Sequence, residues 1–188
     1  MSIVLLGSTS GSITLQEPAV SGNTVLSLPA VSGTLITTGS SGQSIPKAAL
    51  PTGSVLQVVN AFTQTAQTLA TATYTDLTGL SVSITPTSAS SKILVTWTVA
   101  GGLAASNSGF SINLVRNGTT IVSNGGSFDV YLGGTSGNMM VSKQYLDSPA
   151  STSALTYKLQ ASCYGGRTIN FQDSSAFQSM ITIMEIAG

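Results

Sequence analysis

The stretch Leu80-Ser81-Val82-Ser83-Ile84 alternates apolar and small polar residues with period two, and 92–99 repeats the pattern with Ile93, Val95, Trp97 and Val99 on one side. Such alternation places every second side chain on one face of an extended backbone, so each segment reads as a strand with one buried face. The same period runs through Leu155, Tyr157, Leu159, Ala161 and Cys163. Phe110, Ile112 and Leu114 lead into Asn117-Gly118, and a second β-type run, 119–122, follows. An Asn-Gly pair between two such runs marks a tight hairpin, because both central residues must take positive φ. Further strands are expected at 55–59, 127–132, 139–146, 168–171 and 179–186. The last of these, with Met180, Ile181, Ile183, Met184 and Ile186, is nearly continuous in apolar residues and is expected to be buried on both faces. Only 66–73 tolerates a helix, and its threonines argue against one.

About nine short strands with turn signals every eight to twelve residues imply a sandwich or barrel. The expected fold is all-β: an antiparallel jelly-roll sandwich over 54–188, preceded by an extended N-terminal arm and linker over 1–53. The arm differs in kind from the rest of the chain. Residues 1–50 hold two charges, Glu17 and Lys47, and no aromatic ring, which is too little to build a core. Pro18-Ala19-Val20-Ser21-Gly22 returns as Pro29-Ala30-Val31-Ser32-Gly33, flanked by short β-type runs at 12–15, 24–28 and 34–37. Ile13, Leu15, Val25, Leu28 and Leu35 in these runs need a partner surface that the arm does not supply, and they are the expected partner-binding positions.

Charge is scarce: Lys and Arg total 6, Asp and Glu total 6, and the net charge is zero. Nothing here is basic enough to grip a phosphate backbone, so no nucleic-acid partner is expected. No run approaches the roughly 20 apolar residues of a membrane span. The apolar run 3–6 lacks the basic flank and length of a secretory signal, so synthesis in a cytoplasm is expected. Zero net charge also leaves nothing to keep copies apart, which with the apolar last strand points to self-association through Met180, Ile181 and Ile183.

The absence of His removes the commonest general base and metal ligand, and with it any Ser-His-Asp or Cys-His triad within the chain. Cys163, the one cysteine, sits in an apolar alternation and reads as a buried small hydrophobe. Among the six carboxylates, Asp129 and Asp173 are the pair that a glycosidase would need to bring together, but solvated or turn-capping roles fit all six better. Tyr131, Tyr145, Tyr157, Tyr164 and Trp97 would make a carbohydrate platform if they met on an outer rim; their strand positions favour the core. No enzyme activity, cofactor or metal is expected.

The stretch Tyr74-Thr75-Asp76-Leu77-Thr78-Gly79-Leu80-Ser81-Val82-Ser83-Ile84-Thr85-Pro86, followed by Ser90-Ser91-Lys92-Ile93-Leu94-Val95, resembles a module of bacteriophage and cyanophage structural proteins. Tyr145-Leu146-Asp147-Ser148-Pro149, Thr156-Tyr157-Lys158-Leu159-Gln160 and Ile183-Met184-Glu185-Ile186 extend the likeness over 54–188. Gly11-Ser12-Ile13-Thr14-Leu15 with the Pro-Ala-Val-Ser-Gly repeats is similar to segments of phage tail and fibre proteins. The resemblance implies a jelly roll of the C1q and tumour-necrosis-factor class, association as a homotrimer, and residence in a virion. The expected role is a capsid-decorating or cement protein whose arm lies on the major capsid protein or another virion protein. The alternative is a tail-fibre or receptor-binding tip that touches a host glycan.

Overall fold

The computed structural model describes residues 2–6, 12–16, 50–104, 106–134, 136–172 and 177–188. Contacts divide the chain into two units, Met1–Ser44 and Ile45–Gly188. In the first, β1 (Ser2–Leu6) pairs antiparallel with β2 (Ser12–Gln16), setting Ile13 opposite Leu5 and Leu15 opposite Ile3. The runs expected at 24–28 and 34–37, and with them Val25, Leu28 and Leu35, lie outside the described residues.

The second unit is built from β3 (Val55–Thr63), β4 (Gln67–Leu69), β5 (Thr75–Ile84), β6 (Lys92–Leu103), β7 (Ser108–Arg116), β8 (Thr119–Val122), β9 (Val130–Leu132), β10 (Gly137–Asp147), β11 (Leu155–Cys163), β12 (Ile169–Phe171) and β13 (Ser179–Ile186). One sheet runs β3-β13-β6-β10, and the short β12 and β4 prolong it beyond the start of β13. The other runs β5-β11-β7-β8, with β9 also on β7. Setting the three short strands β4, β9 and β12 aside, the first, eighth, third and sixth strands form one sheet and the second, seventh, fourth and fifth the other. All pairings are antiparallel, and this order is a jelly roll. The chain therefore has the all-β antiparallel sandwich that its alternation called for.

The inward rows are the alternating residues themselves. Ile93, Val95, Trp97 and Val99 of β6 and Ile181 and Ile183 of β13 pack against Leu80, Val82 and Ile84 of β5, Phe110, Ile112 and Leu114 of β7, and the inward row of β11. Phe110 of one sheet meets Phe171 of the other edge to face at 5.2 Å. In β5 the period breaks at Gly79, whose φ of +81° suits glycine, and a Cβ there would stand 2.9 Å from the Thr63 Cβ. The register of β5 against β11 shifts at this place, so both Leu77 and Leu80 turn inward although they are three residues apart. Asn117 and Gly118 take φ of +47° and +85° and close the β7–β8 hairpin.

The segment 66–73, where the threonines argued against a helix and no strand was expected, carries the strand β4, held by its ladder to β12 and by no pattern of its own. Within the single chain one face of the last strand is buried: Ile181, Ile183 and Glu185 are inside, whereas Met180, Thr182, Met184 and Ile186 face outward and are partly exposed, the side for which the expected burial needs another subunit. Replacing a fully buried branched side chain by alanine removes its transfer free energy and leaves a cavity. Ile183→Ala is therefore expected to lower unfolding stability by about 2–5 kcal/mol, read as a shift in urea midpoint at unchanged slope. A shift as small as that of an exposed-site change would show that the inward parity of β13 is misplaced.

Candidate functional site

Each described carboxylate already has partners. Glu185 is fully buried at the end of β13, where its two oxygens accept from Gln57 Nε2 at 2.6 Å, the Thr87 amide and hydroxyl at 2.7 Å each, and the Ser91 hydroxyl at 2.7 Å. Burial pushes its pKa up, but the donors from Thr87, Ser91 and Gln57 outweigh that and hold it below the usual range. Asp147, at the end of β10, accepts from Arg116 Nη1 and the Tyr157 hydroxyl, both at 2.6 Å, and so ties one sheet to the other. Burial and the Asp147 carboxylate push the Tyr157 pKa up, which marks it as a structural donor.

Asp129 accepts from the Ile112 amide at 2.6 Å and is bound by Asn124 and Lys143, pinning the loop before β9 onto β7. That staple uses both of its oxygens, and Asp173, the other member of the expected pair, lies outside the described residues. Asp76 pairs with Lys158 at 2.7 Å and Gln160 at 2.7 Å on the surface; the lysine first and the amide second hold its pKa below the usual range. Cys163 is buried, and burial raises its thiol. Among the described residues no three His, Cys, Asp or Glu side chains gather as metal ligands, and no helix is long and apolar enough to cross a membrane.

The surfaces are more informative than the carboxylates. On the sheet β3-β13-β6-β10 the register stacks the outward residues in rows across four strands. Val58, Met184, Leu94 and Leu146 make an apolar row; Asn60, Thr182, Thr96 and Gln144 make a polar one; Phe62, Met180, Thr98 and Ser142 make a third. None of the twelve carries a charge. Val58, Phe62, Met140 and Leu146 are about half exposed, at 55%, 60%, 56% and 49%. A dip of about 390 Å3 lies among Thr96, Thr98, Ser142, Lys143, Gln144 and Met180.

Of the residues expected to mediate self-association, Met180 lies on this face. Ile181 and Ile183 do not; they are wholly inside the single chain and have no surface left for a second copy. Sequence reasoning missed Val58, Phe62 and Leu94, although each is an apolar residue of outward parity in a strand whose alternation could have been followed; Met184 belongs to the last strand, Met180 to Ile186, which it named as a candidate contact together with the edge near Met139 and Met140. Ile13 and Leu15 hold their register positions on β2.

A second surface feature lies at the end of the sandwich where β9 and the 3-10 turn Tyr164–Gly166 meet β7. Phe128, Tyr131 and Tyr164 touch one another there: Phe128 and Tyr131 are stacked at 6.2 Å, and Tyr164 stands edge-on to Phe128 at 5.0 Å and to Tyr131 at 5.5 Å. Tyr131 donates to the Asn107 side-chain oxygen at 3.1 Å. Two of the five residues considered as an aromatic platform thus meet on the surface. Trp97 and Tyr157 are in the core, and Tyr145 lies on β10 opposite Val95.

No protein-family model matches the chain, and no curated protein matches it.

A group whose folded-state pKa is depressed stabilises the fold fully above its unfolded pKa and loses that contribution as pH falls through the folded value. Stability is therefore expected to decline as pH drops below about 4.3, the ordinary glutamate value, and Glu185→Gln should flatten that decline. The variant should also be weaker at pH 7. Its new amide would face Gln57 Nε2, and Gln57 cannot turn over without aiming its own oxygen at the Thr85 carbonyl to which it now donates. Chemical denaturation of both proteins from pH 3 to 7 checks this; parallel curves would remove Glu185 as the acid-sensitive group.

Proposed function

We propose that this chain is a non-enzymatic structural protein of a virus particle, a trimeric capsid-decorating or cement protein in which the jelly roll joins copies and the N-terminal arm holds a neighbouring virion protein. The observation that carries the reading is the outer face of β3-β13-β6-β10, whose three central rows hold no charge. An exposed apolar patch across four strands marks a contact surface in a protein of this size. Its polar row supports another copy of the chain as the occupant, because Asn60, Thr182, Thr96 and Gln144 both donate and accept and so match the uncharged polar surface that this chain itself offers. Charge on this face is sparse, with Lys92 exposed at its end opposite Ile186, so an oppositely charged partner finds little to grip. The three-fold number and the virion setting rest on the resemblance of 54–188 to phage structural modules. The strand order, with first, eighth, third and sixth strands in one sheet, is in keeping with that resemblance.

Light scattering at micromolar concentration is expected to give three times the chain mass, and Phe62→Lys with Met184→Lys should reduce it to one. A wild-type monomer would sink the self-association. For the arm, deletion of residues 2–45 should leave the oligomer folded but unable to bind empty heads, and shells lacking the protein should break at lower temperature. Heads of unchanged stability, with the truncated domain blocking infection, would favour the receptor-binding tip.

A further inference from the structure

We propose that Phe128, Tyr131 and Tyr164 form a binding platform for a pyranose sugar. The three rings come from two segments more than thirty residues apart and converge on one patch with centroids 5.0 to 6.2 Å apart. They are not core residues that leak to the surface: Phe128 is 37% exposed, Tyr131 48% and Tyr164 38%. Keeping this much aromatic area in water is unfavourable, and aromatic clusters with a wet rim are the usual form of a recognition patch. Tyr131 has a structural share in the cluster, since its ring lies over Gly109, where a Cβ would stand 3.2 Å from Tyr131 Cδ2.

The chemistry of the patch selects the ligand class. A pyranose has an apolar face of C–H groups that packs on aromatic rings and an equator of hydroxyls that need donors and acceptors. Tyr131 and Asn107 supply a hydrogen-bonded pair at the rim, with the Asn107 amide nitrogen left to donate. The Tyr164 hydroxyl is a further donor and acceptor beside them. Charge is nearly absent: Asp129, next to Phe128, is turned inward onto Ile112 and Lys143, and the turn after Tyr164 brings a single cation, Arg167. Tyr164 stands edge-on to Phe128 and Tyr131, so the rings make an open corner against which the C–H face of a pyranose can pack; an apolar side chain of a partner protein would need enclosure to be worth its burial.

The test is saturation-transfer difference NMR on the full-length chain with a panel of maltohexaose, cellotetraose, mannotriose, chitotetraose, lacto-N-tetraose and 3′-sialyllactose. At least one probe is expected to receive saturation at its ring C–H protons, and Phe128→Ala with Tyr164→Ala should weaken it by about tenfold or more, the loss of one good contact. Tyr164→Trp should retain binding, and thermal midpoints within a few degrees of wild type confirm that the variants fold. No transfer to any probe, or transfer unaltered in the double variant, overturns the proposal. So does a fall in the mass of the oligomer in the double variant, which would make the cluster a contact between copies. The mass measurement is independent of sugar binding, so failure of the platform leaves the sheet-face contact standing, and the reverse.

Discussion

Parity governs this molecule. Because side chains in a strand alternate with period two, fixing one inward residue fixes every other residue of that strand, and a slip by one would turn the whole inner row into water. In β13 the inward series runs Ile181, Ile183, Glu185, so the rule that buries two isoleucines also buries a carboxylate. In β10 the same parity carries Val141, Lys143, Tyr145 and Asp147; Lys143 and Tyr145 stay partly exposed, and Asp147 brings a second carboxylate in at the strand end. The fold answers with donors in place. Thr87 and Ser91, from the connection between β5 and β6, reach Glu185, and Arg116 and Tyr157, from the opposite sheet, reach Asp147. An unpaired charge in such positions would cost far more than the strand gains.

These buried carboxylates lie at the seams of the sandwich. Glu185 binds the C-terminal strand to Gln57 on β3 and to the β5–β6 connection, while Asp147 binds β10 to β7 and β11. Asp129 fixes the loop before β9 through the Ile112 amide. The scarcity of charge makes this deployment plain: of the carboxylates described, only Asp76 is largely in water, and even that one is paired.

The alternation made the strands legible. The runs at 119–122 and 179–186 coincide with β8 and β13, and the inward rows of β6 and β11 are those the pattern names. What escaped has physical reasons. β4 is three residues whose extended form depends on β12, a hundred residues away, so local composition carries no trace of it. The bulge at Gly79 depends on Thr63 standing against it. The apolar run of β13 did not reveal which of its residues are inside, because methionine and isoleucine are equally apolar and only the register with β3 and β6 assigns the faces. The aromatic cluster unites residues of a loop, a short strand and a turn, so no periodicity within one segment could announce it; the glycine pairs beside each ring were its one local sign.

The two outer sheet faces separate composition from design. Scarcity of charge by itself would leave apolar residues on every surface alike. The outward residues of β5 and β11 contradict that: Ser81, Ser83, Thr156, Lys158 and Gln160 are polar, Ser83 and Thr156 bond across the ladder at 2.8 Å, and Lys158 reaches Asp76. The same chain, with the same poverty of Lys and Glu, made one sheet hydrophilic with hydroxyls, amides and a single ion pair. On the other sheet the equivalent positions hold Val58, Phe62, Leu94, Leu146, Met180 and Met184. Serine and threonine were available there too, and at Thr96, Thr98, Thr182 and Ser142 they were used, in rows between the apolar ones. The difference therefore lies in what each face meets. A polar face needs only water. A face that alternates apolar rows with rows that both donate and accept leaves apolar area in water unless a complementary surface covers it, and another copy of this charge-poor chain is the simplest source of one.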